Sequence, residues 1–396
     1  MRMVIVGGGQ AAVSAAGALR DASPDATIEI IGAEPHLPYQ RPPLSKAYLK
    51  GEMTRDRLEL KPAAWYEANR IALTLGAAVT AIDRNAQSVR LADGSVREFD
   101  RLLLATGGSA RRLPAWGAVA APFVLRDLAD IDALSPVLRK DDALLVIGGG
   151  YIGLEMAAAA TELGLIVTLV EAGARILQRV AAPQTSDYFR ALHTKNGVTI
   201  HEGVTLDHVS DDGQPVAHLS DGTTVPFDVA VAGVGLVPND ELAADAGLHL
   251  DRGIAVDGAC ATSDPNIFAA GDCVSFPYRG ARIRLESVQN AIDQGKAAGR
   301  AMAGEAVGYA PEPWFWSDQF DVKLQIAGVA NGADETVVRQ DGARHSVWYF
   351  AGEDLCAVDT MNDPRGFMIA KRLLAARRSP PRAAVADPSF DLRSAL

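Results

Sequence analysis

The sequence predicts an α/β protein of two three-layer units followed by a smaller C-terminal α+β domain. A pattern of strand, glycine turn, helix and strand occurs twice, beginning at Arg2 and at Ala143. Parallel sheets with helical crossovers are built from this order of elements. From about residue 311 the pattern changes to a Pro- and aromatic-rich segment, four strand-like runs and one helical run, which predicts the third domain.

Length and composition limit the class of protein. A chain of 396 residues is too long for one ordinary core, so two or three domains are expected. With 48% hydrophobic and 22% charged residues the chain is predicted to be globular rather than disordered. The formal net charge of −11 argues against a nucleic-acid partner. No run of about 18 uninterrupted apolar residues predicts a membrane span.

The three cysteines, Cys260, Cys273 and Cys356, are widely spaced and form no Cys-x-x-Cys pair. Their odd number does not suggest a disulfide framework, so a reducing cytoplasm is the predicted compartment. The first residues could be taken for a weak signal peptide. The glycines at 7 to 9 interrupt its apolar run, and a glycine turn after a strand explains them better.

The second unit carries a complete G-x-G-x-x-G motif, with Gly148, Gly150 and Gly153 enclosing Tyr151 and Ile152. Such glycines allow a tight turn, the approach of a pyrophosphate, and close helix–strand packing, with the phosphates at the helix N-terminus. We therefore predict two Rossmann-like dinucleotide-binding domains, of which this is the NAD-binding one.

Glu171 lies 21 residues after Gly150 at the end of the next strand, where an acid binds the ribose 2′-hydroxyl. A carboxylate there favours NADH over NADPH. The nearby Arg175 and Arg179 argue the other way, since an arginine can accept a 2′-phosphate. We predict NADH, and count Arg179 among the candidate NAD contacts. The alternative for Glu171 is an acidic cap on a plain glycine turn.

The first unit has Gly7, Gly9 and Ala12 in the same places, and alanine is allowed at the third. Ala33 follows the next strand and Glu34 comes directly after it. Glu34 is the nearest candidate for the adenosine ribose, and a solvated loop acid is the alternative.

Several predicted strands end in small residues that let the backbone approach a ligand closely. They end at Ala105, Thr106 and Gly107, at Val234 and Gly235, and at Gly271 and Asp272. Asp272 is placed to bind a ribityl hydroxyl. Two dinucleotide units suggest two dinucleotides, and one nicotinamide with one flavin is the simplest pair because a hydride donor needs an acceptor.

Lys46 and Glu155 are the predicted charged pair. The stretch "YQRPPLSKAYL" places Lys46 after two prolines, which exclude a helix interior or a central strand. Glu155 belongs to a helical run of small and apolar residues, and a buried carboxylate there needs a partner. The alternatives are a solvated lysine on a surface loop and an acid on an exposed helix stripe.

The chain resembles the FAD-dependent ferredoxin reductases of bacterial oxygenases and cytochromes P450, the putidaredoxin-reductase-like group. The residues that carry the resemblance are "VIVGGGQAA", "PYQRPPLSKAYL", "LLLATG", "VLRDLAD", "VIGGGYIGLEMAA", "AGVGLVPNDELA", "IFAAGDC", "RLESVQNAIDQG" and "WFWSDQF", in this order along nearly the whole chain. The resemblance implies a glutathione-reductase-like architecture. Its expected domains are a discontinuous FAD-binding domain (1–110 and 238–311), a NAD-binding domain (111–237) and a C-terminal domain (312–396).

The resemblance also implies site residues. Positions that match FAD contacts of the family are Ala11, Ala33, Arg41, Lys46, Val79, Arg126, Asp272 and Val288. Many relatives have an acid at the place of Ala33, so the ribose role passes to Glu34 or to the backbone. Trp316 matches an aromatic residue near the flavin on the ferredoxin side. Core packing is the alternative for Val79 and Val288, and interdomain packing for Trp314 and Trp316.

The implied activity is transfer of hydride from NADH to FAD, and then of single electrons to a [2Fe–2S] ferredoxin that serves a P450 or a Rieske-type oxygenase. Disulfide reductases of this architecture need a cysteine pair beside the flavin, and the sequence has none. Lys46 is expected to lie near flavin N5 with Glu155 as its partner. Basic residues near the flavin (Arg282, Arg284) or on the last predicted helix (Lys371, Arg372, Arg377, Arg378) are candidates to meet the ferredoxin. A solvated helix face is the alternative, and it is the preferred interpretation for residues 371 to 378.

Two alternatives use the same fold. One is an enzyme with another acceptor, such as rubredoxin, oxygen or monodehydroascorbate. The other is a redox interaction protein like apoptosis-inducing factor. The sequence names neither the ferredoxin nor the oxygenase, and it does not distinguish a monomer from a dimer.

Overall fold

A computed structural model describes residues 1–116, 119–211 and 213–396, and it divides into two compact units. Unit 1 comprises Met1–Arg41, Thr54–Ser109 and Val237–Pro313. Unit 2 comprises Pro42–Met53, Ala110–Leu236 and Trp314–Leu396. The short Pro42–Met53 stretch, called the 42–53 segment below, therefore groups with unit 2 although the chain on both sides of it belongs to unit 1.

The strands are, in chain order, β1 Arg2–Val6, β2 Thr27–Gly32, β3 Ile71–Leu75, β4 Val79–Asp83, β5 Ser88–Leu91, β6 Val96–Glu98, β7 Arg101–Leu104, β8 Gly108–Ala110, β9 Ala143–Ile147, β10 Ile166–Glu171, β11 Thr199–Glu202, β12 Leu206–Asp211, β13 Pro215–Leu219, β14 Thr224–Pro226, β15 Val229–Ala232, β16 Leu236–Pro238, β17 Ile254–Ala255, β18 Ile267–Ala269, β19 Val274–Tyr278, β20 Ala281–Ile283, β21 Trp314–Gln319, β22 Val322–Gly328, β23 Glu335–Asp341, β24 Arg344–Ala351 and β25 Asp354–Met361.

The α-helices are α1 Gln10–Ala22, α2 Ala63–Ala68, α3 Leu128–Leu134, α4 Tyr151–Glu162, α5 Pro183–Lys195, α6 Glu241–Asp245, α7 Val288–Met302, α8 Pro364–Ala376 and α9 Arg382–Val385. Short 3₁₀ turns span Pro42–Ser45, Arg55–Leu58, Ser135–Val137 and Leu392–Ala395.

Unit 1 is built on a parallel five-stranded sheet in the order β18-β7-β1-β2-β3. Its central strands are apolar on both faces, as expected for a parallel sheet that is covered on both sides. On one side α1 and α7 pack closely: a Cβ at Gly295 or Gly299 would overlap the carbonyl oxygens of Ala11 and Ala15. This packing fixes the N-terminus of α1 against the sheet edge.

Unit 2 contains a parallel four-stranded sheet, β11-β10-β9-β15, and a five-stranded antiparallel sheet, β21-β22-β25-β24-β23. Helix α4 connects β9 to β10, and α8 packs on the antiparallel sheet through Phe367, Ala370 and Leu373. The Asp-Gly hairpins predicted at 91–99 and 219–227 are present as β5–β6 and β13–β14. The predicted fold class is confirmed.

Residues 379–396 have little sequence periodicity, which predicts a surface tail, but they pack on the core of the antiparallel sheet instead. They form α9 and a final 3₁₀ turn, and Val385 and Leu392 are buried in the core of the antiparallel sheet. The guanidinium of Arg339 donates to the carbonyls of Val385, Asp387, Pro388 and Phe390. Sequence periodicity did not predict this docking, because the apolar residues of the segment are irregularly spaced and match neither a helical nor a strand period.

Helix α5 is joined to the antiparallel sheet of unit 2 by buried polar contacts. Thr185 Oγ1 donates to Asp359 Oδ2 at 2.7 Å, and Tyr349 Oη donates to the same oxygen. The backbone N–H of Ala182 donates to Tyr349 Oη at 2.8 Å. Asp359 is 1% exposed, and burial raises the pKa of its carboxyl to about 6.

Among the described residues, no helix is both long enough and apolar enough to cross a membrane.

The raised pKa of Asp359 predicts that the stability of the protein depends on pH. Between about pH 4 and about 6 the folded state keeps a proton on Asp359 that the unfolded chain has lost, so stability falls as the pH rises through this window. The full effect is about 3 kcal/mol. We expect denaturant unfolding of the Asp359→Asn variant to lose this fall, because asparagine does not titrate.

The matched control is Asp354→Asn, an exposed position on the same strand, which should keep the wild-type slope. Identical pH slopes in wild type and Asp359→Asn would contradict the assignment.

Candidate dinucleotide sites and the Lys46–Glu155 pair

The first glycine turn joins β1 to α1. Gly7 has φ +123°, its N–H donates to Ile31 O at 2.8 Å, and a Cβ there would overlap Ala105 O at the end of β7. Gly9 is the N-cap of α1, with no side-chain cap and open space where its Cβ would be. The amide end of a 13-residue helix thus faces open space, which is the arrangement that holds a pyrophosphate.

The second glycine turn repeats this geometry in unit 2. Gly148 has φ +104° and its N–H donates to Val170 O at 2.8 Å. A Cβ at Gly153 would overlap Gly148 O, so the helix starts against the turn. Gly150 is the uncapped N-cap of α4 and has open space beside it. Tyr151 and Ile152 form the first turn of that helix, and Ile152 is 43% exposed.

Glu171 ends β10 beside the second glycine turn. Its Oε2 accepts from Gly149 N and its Oε1 from Gly173 N, both at 2.6 Å. The carboxylate therefore lies against this glycine turn. The turns at Gly7–Gly9 and Gly148–Gly150 are called the first and the second glycine cradle below. Arg175 is turned away, donating to Ala181 O and Ser186 Oγ, whereas Arg179 is exposed.

The first unit has no acid at the corresponding position. Gly7 bonds to Ile31 as Gly148 bonds to Val170, so by register Gly32 takes the place of Glu171. Ala33 comes next and is exposed. Glu34 follows, and its carboxylate is bound by Arg41 at 2.7 Å and by the hydroxyl of Tyr39. Glu34 and Arg41 thus form one ion pair, a contact that sequence reasoning missed.

The other small-residue strand ends of unit 1 also gather at the first cradle. Gly271 N donates to Gln294 Oε1 at 2.8 Å, and a Cβ on Gly271 would lie 3.2 Å from the side chain of Ala11. Thr106 Oγ1 donates to Asn239 O at 2.6 Å, and Asn239 N donates to Gly107 O. Sequence reasoning missed Asn239 and Gln294, because both lie next to charged residues in sequence and nothing marks them as site residues.

The remaining predicted residues are dispersed over both units. Ala12 is a fully buried residue of α1, and Val79 packs on the core of unit 1, as its alternative interpretation expected. Val288 begins α7, and Asp272 accepts from Arg284 through its carbonyl. Arg126 lies in unit 2 before α3 and donates its backbone N–H to Asp130. Val234 and Gly235 follow β15 in unit 2.

The ion pair predicted between Lys46 and Glu155 is present within unit 2. Lys46 Nζ lies 3.0 Å from Glu155 Oε1 and 3.5 Å from Asp318 Oδ2. Ser45 Oγ donates to Glu155 Oε2 at 2.8 Å, and Ser317 Oγ donates to Oε1 at 2.7 Å. Glu155 is 4% exposed, so the alternative of an exposed stripe is wrong.

A second ion pair fixes the same segment. Lys50 Nζ lies 3.0 Å from Glu162 Oε2, and Glu162 follows Glu155 by two helical turns on α4. The 3₁₀ turn at Pro42–Ser45 and these two pairs attach the 42–53 segment to α4. Burial raises the pKa of Glu155, and the nearby Lys46 ammonium and the two serine hydroxyls act against that rise.

Aromatic rings flank the pair on β21. Phe315 stacks on Tyr151 with ring centroids 4.6 Å apart, and Trp316 lies 5.5 Å from Trp314. The ammonium of Lys371 sits 4.8 Å above the ring of Trp314. The described residues contain no group of three or more acidic, cysteine or histidine side chains that could hold a metal ion.

Two family models together match most of the chain. The family model described as pyridine nucleotide-disulphide oxidoreductase matches residues 1–295, and the model described as reductase C-terminal matches residues 314–396. Rhodocoxin reductase of Rhodococcus erythropolis is 42% identical, covering 100% of this chain and 94% of the relative.

Two further matches extend over nearly the whole chain. The ferredoxin–NAD(+) reductase component of the anthranilate 1,2-dioxygenase system of Burkholderia cepacia is 42% identical, covering 99% of this chain and 98% of the relative. The crystal structure of a covalent putidaredoxin reductase–putidaredoxin complex matches with a TM-score of 0.94 and 38% identity, covering 99% of this chain and 97% of that one. The resemblance inferred from the sequence is thus confirmed: the chain belongs to the pyridine nucleotide-disulphide oxidoreductase family, in the group that includes rhodocoxin reductase.

Proposed function

We propose that the chain is an FAD-dependent NADH:ferredoxin oxidoreductase whose [2Fe–2S] ferredoxin feeds a P450 or a Rieske-type oxygenase, in the cytoplasm. The observation that carries the proposal is the pair of glycine cradles, each at the uncapped start of a long helix. Relatives that match nearly the whole chain are named as reductases of a rhodocoxin or a putidaredoxin, or as the ferredoxin–NAD(+) reductase component of an anthranilate 1,2-dioxygenase system.

Both dinucleotides fit residues of this chain. We assign FAD to the first cradle, held by Gly7, Gly9, Ala11, Ala12, Ala33, Glu34, Arg41, Lys46, Val79, Ala105, Thr106, Gly107, Arg126, Gly271, Asp272 and Val288. We assign NADH to the second, held by Gly148, Gly150, Tyr151, Ile152, Gly153, Glu171, Arg179, Val234 and Gly235. The corresponding domains are 1–110 with 238–311 for FAD, 111–237 for NADH, and 312–396 for the C-terminal domain. When bound, FAD supplies hydride acceptance and single-electron release.

Lys46 supplies a fixed positive charge. Its side chain is 18% exposed and is oriented by Glu155 and Asp318, so it needs little reorganisation to stabilise negative charge that develops beside it. Glu155 keeps the ammonium in place and compensates its charge. The 42–53 segment carries both attachment points, so Lys46 is positioned by the fold and not by a mobile loop.

The cysteines support a one-electron outlet. Among the described residues no disulfide joins Cys260, Cys273 or Cys356, and the first two are fully buried. A reductase that passes electrons as a dithiol needs two reactive cysteines together, and burial raises the pKa of both Cys260 and Cys273, which makes them poor nucleophiles. We therefore assign the exit of single electrons to the face that carries Trp316.

The ferredoxin is expected to be acidic, and basic side chains are its proposed contacts. Arg282 and Arg284 are half-buried and bonded to backbone carbonyls of unit 1, whereas Arg372, Arg377 and Arg378 are exposed. Exposed guanidinium groups are accessible to a docking protein and steer an acidic partner at low salt. We place the C-terminal end of α8 and the two arginines that follow it among the candidates for this reason.

Replacing Lys46 by methionine should slow reduction of bound FAD by NADH at least about tenfold, because a preorganised charge is removed. Stopped-flow absorbance measures the rate, and the flavin spectrum reports whether FAD stays bound. The double variant Lys46→Met, Glu155→Gln removes the unpaired buried carboxylate that the single variant leaves. The exposed Lys195→Met is the control, and a wild-type rate in both Lys46 variants would remove the assigned role.

Replacing Glu171 by glutamine keeps the shape of the acid but removes the charge that disfavours a 2′-phosphate. We expect the ratio of kcat/KM for NADH to that for NADPH to fall about tenfold. Glu202→Gln is the matched control, because Glu202 is the register partner of Glu171 on β11 and also accepts a backbone N–H. An unchanged ratio in Glu171→Gln would refute the ribose assignment.

Steady-state reduction of cytochrome c separates the proposed acceptor from the alternatives. NADH-driven reduction should depend strongly on an added [2Fe–2S] ferredoxin, because the three widely spaced cysteines of the sequence do not form an iron–sulfur cluster motif. Fast NADH oxidation with oxygen alone, unaffected by any ferredoxin tested, would instead indicate an oxidase.

A further inference from the structure

A buried series of hydrogen-bonded polar side chains in unit 2 leads from Glu155 to α5. Ser317 Oγ donates to Glu155 Oε1 at 2.7 Å, Gln319 Nε2 donates to Ser317 Oγ at 3.1 Å, and His193 Nε2 lies 2.8 Å from Gln319 Oε1. Ser317, Gln319 and His193 are each 0% exposed. None of the three has a part in the chemistry proposed above, yet polar groups are costly to bury.

The direction of each hydrogen bond follows from the donors available. A serine hydroxyl has one hydrogen, and Gln319 already donates to the oxygen of Ser317. The hydrogen of Ser317 must therefore point at Glu155. A hydroxyl fixed in this way supports an ionised carboxylate, which only accepts hydrogen bonds.

His193 fixes the orientation of the Gln319 amide. Burial lowers the pKa of His193 to about 4, so the ring is neutral at pH 7 and carries one N–H. Nδ1 has no partner among the described residues, so Nε2 is the nitrogen that donates, to Gln319 Oε1. The amide nitrogen of Gln319 is then directed to Ser317. Three consecutive donors thus point the same way, toward Glu155.

We propose that Ser317, Gln319 and His193 are positioning residues that hold Glu155 as a carboxylate with one oxygen presented to Lys46. The effect on hydride transfer rests on the proposed function, whereas the effect on Glu155 itself does not. Removing any member lets the hydroxyl of Ser317 turn or disappear, and the burial of Glu155 then favours its protonated form. A protonated Glu155 would no longer compensate the charge of Lys46.

The charged groups around Glu155 are few on each element packed against α4. The 42–53 segment presents Lys46, while its Lys50 is paired with Glu162. Strand β21 presents Asp318, at 3.5 Å from Lys46. Strand β10 has one titratable side chain, Glu171, which bonds to Gly149 and Gly173, and β9 has none. Among the charged groups of these elements, Lys46 is therefore the cation that faces Glu155, and the hydrogen-bond dipoles of Ser317, Gln319 and His193 act on Glu155 in addition.

The competing explanation is that the hydrogen bonds among Ser317, Gln319 and His193 only attach α5 to the antiparallel sheet. The hydrogen bond from Thr185 to Asp359 makes the same connection from the same helix, and Thr185 is also 0% exposed. Thr185→Val is therefore a matched control, because it removes a buried hydrogen bond of this connection without touching Glu155.

The test uses Ser317→Ala and Gln319→Met in the FAD-bound protein with ¹³C-labelled glutamate carboxyls, and Glu155→Gln assigns the Glu155 signal. Carbon NMR follows the protonation of Glu155 between about pH 5 and 9. Each variant should raise the midpoint by about one pH unit. The pH below which the rate of FAD reduction falls should rise by the same amount. Thr185→Val should change neither the Glu155 midpoint nor this pH.

Unmoved Glu155 midpoints in both variants, with thermal stability lowered as in Thr185→Val, would overturn the inference. A shifted midpoint in protein that NADH does not reduce would support the positioning of Glu155 and reject the proposed function. Gln319→Met keeps the test valid if Ser317→Ala folds poorly, because it leaves Ser317 in place.

Discussion

A buried carboxylate has to be paired, and Glu155 organises unit 2 around that requirement. Its helix is otherwise made of small and apolar residues, and its side chain is 4% exposed. Lys46 and Ser45 from the 42–53 segment and Ser317 from β21 complete its coordination. Removing one partner of such a pair costs about 3–5 kcal/mol, so the lysine and the strand of the C-terminal domain are both held to α4 by one group.

The two glycine cradles are built alike but differ in the residue that follows the second strand. The backbone geometry is the same because a phosphate at a helix N-terminus needs the same turn in both. At the next register position one unit has Glu171 and the other has Gly32. The first cradle thus lacks an acid at this position, and Glu34, two residues later, is bound to Arg41. The family resemblance predicted that the acid of many relatives is missing at Ala33. It did not predict that Gly32 is the residue at the register position of Glu171.

Local patterns predicted the strands, the cradles and the Asp-Gly hairpins, because each depends on neighbouring residues. The Lys46–Glu155 pair was predicted for another reason: an acid in an apolar helix must have a cation, and the Pro42–Pro43 turn offered one. Ser45, Ser317 and His193 were not predicted. Their contacts join residues 110, 162 and 126 positions apart in sequence, and a serine or glutamine carries no pattern that reports burial. The docked C-terminus was missed because its apolar residues follow no period.

The Lys46 ammonium, fixed by Glu155, is proposed to act on the bound flavin, and the midpoint potential of FAD tests this role without any partner protein. A positive charge beside the cofactor stabilises its more electron-rich state, so the potential should become more negative when the charge is removed. For a two-electron couple, each tenfold change in relative stability corresponds to about 30 mV. A shift of at least about 30 mV in the Lys46→Met, Glu155→Gln variant relative to wild type is predicted, and an unchanged potential with FAD fully bound would contradict the account.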